Sequence, residues 1–107
     1  MNNENSIYDV LVNFEILNNL YYYFTFELIP FLNYTTIKNR INNREMHFSL
    51  LFSLYALYEK VRPYGDYNNA IKFKSISFQF IELTKIKRKL NDIQINETFY
   101  ILSIIGK

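Results

Sequence analysis

A chain of 107 residues with ten Phe, ten Tyr, two Gly, two Pro and neither Cys nor Trp is rich in packing surface and poor in catalytic vocabulary. Its length is that of one domain. The lack of Cys excludes a disulfide scaffold, a thiol nucleophile and a Cys-ligated metal or cluster, and a net charge of +2 is far from the balance of a dedicated nucleic-acid binder.

Half of the residues are hydrophobic, so a core is within reach over residues 7–107, while the Asn-rich stretch 1–6 reads as a flexible tail. No basic region opens the chain as a signal peptide would require. The longest apolar stretch, Ile16 to Leu32, is interrupted by Asn18, Asn19, Glu27 and Pro30 and falls short of the roughly 20 residues of a membrane span. No transmembrane segment is expected.

From Ile7 the apolar residues Val10, Leu11, Phe14, Leu17 and Leu20 recur at three- and four-residue steps, which predicts a helix with Ser6 as its N-cap and an end near Leu28, ahead of Pro30. The run Tyr21-Tyr22-Tyr23-Phe24 puts rings all round that helix, and one face cannot bury them. A turn through Asn33-Tyr34-Thr35-Thr36 leads to a second helix carrying Ile37, Ile41, Met46, Phe48, Leu51, Phe52, Tyr55 and Tyr58, with Asn42-Asn43 as its weak point. Arg62-Pro63-Tyr64-Gly65-Asp66 is the clearest turn in the chain.

The next segment satisfies two periods. Ile71, Phe73, Ile76, Phe78 and Phe80 alternate as a strand would, yet Phe73, Ile76, Phe80, Leu83, Ile86 and Leu90 also step by three and four. The longer match predicts a helix from after Asn68-Asn69 to near Asn91-Asp92. A last helix, Glu97 to Ile105, is expected after Asn96; it is apolar on every side, so it is buried or handed to a partner. The expected fold is all-α, an irregular four-helix bundle; the alternative is α+β, with strands near 70–81 and 97–105.

The catalytic inventory is thin. His47 is the single histidine, and no spacing of His, Asp and Glu suggests a metal site. The carboxylates of Glu15, Glu27, Glu45, Glu59, Glu82 and Glu97 are dispersed, with no close pair for acid–base work. Two glycines cannot build a phosphate-cradling loop, a nucleophile elbow or a dinucleotide fingerprint. No enzyme, no cofactor, no metal and no small-molecule substrate are therefore expected. Arg40 and His47, on what reads as one helix, resemble the Arg-x(4–6)-His signature of the HEPN ribonucleases, small all-α domains that pair to form one RNA-cutting site. The likeness covers eight residues, and Ile41 stands where a polar residue usually follows the Arg; a core or boundary histidine is the reading preferred for His47.

Two features suggest contacts. The aromatic surplus marks a protein interface, placed at Tyr21, Tyr22, Tyr23, Phe24, Phe99, Tyr100 and Ile104. Lys85, Lys87, Arg88 and Lys89 form the strongest polar cluster, either a solvated helix end or a grip on phosphates of rRNA or anionic lipid heads. The excess of Asn (14 residues) with Ile, Leu, Phe and Tyr, beside only eight Lys, resembles the mitochondrially encoded subunits of protists, ciliates especially. That resemblance implies a structural or accessory subunit of a respiratory-chain or ATP-synthase complex, in the matrix or on the matrix face of the inner membrane, with other subunits as partners. A mitochondrial ribosomal protein, using the 85–89 cluster, is the first alternative. A small bacterial or phage inhibitor of a host enzyme, cytoplasmic in location, is the second.

Overall fold

The computed structural model describes residues 11–23, 34–62, 64–87 and 93–105, apart from the side chains of residues 14, 21–23 and 84–87. These residues are all-α, with helices α1 (Phe14–Tyr23), α2 (Tyr34–Asn42), α3 (Phe48–Val61), α4 (Tyr67–Lys87) and α5 (Ile93–Ile105). They belong to two compact units, Met1–Met46 and His47–Lys107. The expected tail, 1–6, lies outside the described residues.

In the first unit, the single helix expected from Ile7 to Leu28 is interrupted at Val12 and Asn13. Asn13 acts as an N-cap: its Oδ1 accepts the Ile16 N–H at 3.1 Å and its carbonyl accepts the Leu17 N–H at 3.1 Å. Apolar spacing runs straight through this position, but a short amide that competes for backbone donors favours a new start. Leu17 and Leu20, one turn apart on α1, are both buried. α2 begins at Tyr34, so Tyr34-Thr35-Thr36 form its first turn rather than the loop that sequence suggested.

The weak point at Asn42-Asn43 is a full stop. The Glu45 N–H reaches back to the Arg40 carbonyl at 2.7 Å and the Arg44 N–H to the Ile41 carbonyl at 3.0 Å, the paired bonds of a Schellman motif. Arg44 holds the left-handed position at φ 59, a place usually given to Gly. Its guanidinium folds back onto the same Ile41 carbonyl at 3.2 Å. One expected helix from Ile37 to Tyr58 is thus two.

The second unit is built round α3, which packs against both α4 and α5. Every side chain from Ser49 to Leu57 is buried; such an all-round apolar helix must be the centre of its unit. Full burial of Leu50, Leu51, Leu54 and Leu57 stabilises by about 1.5–3 kcal/mol for each side chain. Between α3 and α4 lies a ladder of rings. Phe52 stacks on Phe80 at 5.8 Å and meets Tyr55 edge-on at 5.5 Å, while Phe48 reaches Phe80 at 5.2 Å and Tyr55 reaches Phe73 at 5.7 Å. Part of the aromatic surplus is therefore interior, where offset and edge-on pairs add about 0.5–1.5 kcal/mol apiece beyond burial.

The segment with two periods is a helix. Ala70, Ser77 and Ile81 of α4 are buried at steps of seven and four, which only a helix turns to one side. α4 begins at Tyr67, ahead of Asn68-Asn69, because Asp66 caps it: Oδ1 accepts the N–H of Asn68 at 2.9 Å and of Asn69 at 3.3 Å. α5 likewise begins at Ile93, before the expected cap Asn96, and takes in 97–105, so neither proposed strand exists among the described residues. Ile81 of α4 joins Ile95 and Leu102 of α5 in one buried cluster.

A thread of polar groups crosses all three helices. The His47 N–H donates to Gln94 Oε1 at 2.8 Å, and Thr98 Oγ1 donates to the Gln94 carbonyl at 2.7 Å. The Ser49 hydroxyl lies 3.4 Å from Thr98 Oγ1, and Ser77 Oγ donates to the Ser49 carbonyl at 2.7 Å. Such small hydroxyls let backbones approach closely while leaving their own polarity satisfied.

Candidate interaction surface

α5 shows two faces. Gln94, Ile95, Glu97, Thr98, Ile101, Leu102 and Ile105 are buried, while Ile93, Asn96, Phe99, Tyr100 and Ser103 are exposed. Ile93 is 64% exposed, Phe99 42% and Tyr100 43%. The only charged residue in this helix is Glu97, and it faces inward, so the outer face bears no charge. An uncharged outer face with three large apolar side chains is the make-up of an interface centre rather than of ordinary solvated surface.

At one end of the unit stands a braced turn. α3 ends as the Arg62 N–H bonds to the Tyr58 carbonyl at 3.0 Å, and the Gly65 N–H closes on the Arg62 carbonyl at 3.1 Å. Tyr64 is the third residue of that turn, at φ 59, where a type II turn takes Gly or Asn. Below it sits the buried carboxylate of Glu59. Oε1 accepts from Arg62 Nε at 3.2 Å, and Oε2 accepts from Arg62 Nη2 at 2.9 Å and from the Asp66 N–H at 2.9 Å. The Arg62 guanidinium also lies 5.3 Å from the centre of the Tyr58 ring. Its hydrogen bond to Glu59 holds the Arg62 pKa above the usual arginine value, against a smaller opposing effect of desolvation.

Gly65 leaves no room for a side chain: a Cβ there would collide with the Glu59 carbonyl oxygen and lie 3.1 Å from that of Arg62. Lys60 Nζ donates to the Ile104 and Ile105 carbonyls at 3.3 and 3.0 Å, satisfying the last turn of α5 and bringing its C-terminal end beside the turn. The turn's outermost side chains are Tyr64, 99% exposed, and Tyr67, 69% exposed.

Of the residues singled out from sequence, Phe99 and Tyr100 are exposed on the outer face of α5 and Ile104 is half-buried at its edge. Tyr21, Tyr22 and Tyr23 belong to α1, but their side chains, like all of Phe24, lie outside the described residues. The same holds for the basic cluster: Lys85 and Lys87 are in the last turn of α4, with side chains outside the description, and Arg88 and Lys89 lie outside it entirely. Arg40 and His47 do not share a helix as expected, since Arg40 is in α2 and His47 is the N-cap of α3, past the Schellman motif. The HEPN-like spacing therefore lacks the single helix on which the resemblance was drawn.

Sequence reasoning missed Ile93, Tyr64 and Tyr67 as surface residues. The signal for Tyr64 was present in Arg62-Pro63-Tyr64-Gly65-Asp66, a turn sequence that spends a ring on its tip. Among the described residues no group of three His, Cys, Asp or Glu could hold a metal ion, and no helix is long and apolar enough to cross a membrane. No family model, no curated protein and no solved structure matches this chain.

Proposed function

We propose that this chain is a non-catalytic accessory subunit of a larger protein assembly, a mitochondrial respiratory-chain or ATP-synthase complex, and that it acts by burying apolar surface against neighbouring subunits. The uncharged outer face of α5, with Ile93, Phe99 and Tyr100 exposed, carries this reading. A solvated helix of a free-standing protein would bear charge there, whereas a contact helix excludes it. The low net charge favours protein over RNA as the covering partner, because RNA-bound subunits need a basic excess to neutralise phosphates. The mitochondrial setting rests on the Asn-, Phe- and Tyr-rich composition with only a moderate Lys content.

The test is a native pull-down of the tagged chain from its own cells, with and without RNase, followed by mass spectrometry. Respiratory-chain or ATP-synthase subunits that persist after RNase support the proposal. An RNase-sensitive set of ribosomal proteins, or a chain recovered alone, sinks it.

A further inference from the structure

The strongest conflict between residue and conformation in the described chain is at Tyr64. Its φ of 59 is a conformation in which Gly or Asn costs least, and a Tyr in this place gives nothing back to the fold through burial, being 99% exposed. The surrounding structure nonetheless fixes the turn from several sides. The Glu59 carboxylate binds Arg62 twice and the Asp66 N–H once, the Gly65 N–H closes on Arg62, and Gly65 packs where no Cβ fits. Residues held in unfavourable backbone conformations by an over-determined setting mark functional positions.

We infer that Tyr64 is an anchor that this chain inserts into an apolar pocket on a neighbouring protein subunit. A large ring on a turn already fixed in shape loses little freedom on binding, which is the economy of interface hot spots. Charge points to the class of partner. Glu59, Lys60, Arg62 and Asp66 round the turn cancel one another, and Lys60 and Arg62 are engaged with the α5 carbonyls and Glu59. A tip so balanced offers no grip on the phosphates of RNA or lipid, but its phenol ring fits an apolar protein pocket with a hydrogen-bond acceptor at its end. Tyr67, exposed in the first turn of α4, extends the same contact. This inference rests on the accessory-subunit reading and adds a second contact to the one on α5.

The experiment compares the native size of four tagged chains in extracts of the protein's own cells: wild type, Tyr64→Asn, Tyr64→Phe and Ile93→Asp. Asn keeps the left-handed turn and removes the ring; Phe keeps the ring. We expect Tyr64→Asn to leave the large complex, with retention reduced about tenfold or more, while its thermal midpoint as a purified chain is equal to or above wild type. Tyr64→Phe stays within about threefold of wild type. Retention of Tyr64→Asn at the wild-type level overturns the inference, as does a complex that RNase dissolves. If Ile93→Asp is released while Tyr64→Asn is retained, the anchor fails and the accessory-subunit reading stands. A wild-type chain of monomer size overturns both.

Discussion

Two connections between helices hold a bulky residue in the left-handed conformation, and they differ in what the side chain does afterwards. Arg44, at φ 59 after α2, turns its guanidinium back onto the Ile41 carbonyl and so helps to close the helix it ends. Tyr64, also at φ 59, follows α3 and points its ring into solvent, leaving the closing to Glu59, Arg62 and Gly65. In the first connection one residue bears the backbone cost and offsets it. In the second the cost falls on one residue and the offset on others, so the ring at the tip can be changed without opening the turn.

That division is open to attack, beginning with its supports. Gly65→Ala should do the most damage, about 3 kcal/mol in a urea titration, since the methyl meets backbone oxygen that cannot step aside. A loss below half that would mean that the turn is looser than described. Glu59→Ala comes next, at about 2 kcal/mol, because the buried carboxylate leaves the Asp66 N–H without its acceptor; amide exchange at Asp66 should speed up with it.

The two left-handed residues themselves should respond oppositely to Gly. Tyr64→Gly relieves the backbone and removes no interior contact, so calorimetry should show a gain of about 0.5–1 kcal/mol after the entropy of the freer unfolded chain is counted. Arg44→Gly gains the same relief but loses the bond to Ile41, and its net change should be about zero. Equal responses would erase the contrast. The smallest effect is one of pH. The raised Arg62 pKa means that its share of stability is fully present below the ordinary arginine value and is lost only as pH rises through the still higher folded value. The stability difference between wild type and Arg62→Gln should therefore stay flat from about pH 7 to about pH 10.

The all-α class was legible because apolar steps of three and four outlast any alternation, as in the stretch from Phe73 to Leu83. Helix starts were the least legible. Asn13 and Asp66 set two of them through hydrogen bonds spanning a few residues, and no apolar count registers these. Asn42-Asn43 hinted at a break, but sequence offered Arg44 no reason to take a position that suits Gly. The surface at Phe99 and Tyr100 was legible because a helix apolar on every side cannot be wholly covered in a small unit. Which side stays open was not, since it depends on α3 and its cap facing Gln94 and Thr98 rather than Ile93. Tyr64 escaped for a related reason: its exposure follows from the brace beneath it, and Glu59 looks in sequence like any other solvated carboxylate.

The bond from the His47 N–H to Gln94 carries a consequence for the order in which the molecule is made. The opening turn of α3 receives its side-chain acceptor from a residue 47 positions later, and His47 itself makes no side-chain cap. The central helix of the unit is therefore complete in sequence before the residue that accepts the His47 N–H has been added. It acquires its lid only when α5 arrives. Until then the nascent chain is a ready client for a chaperone.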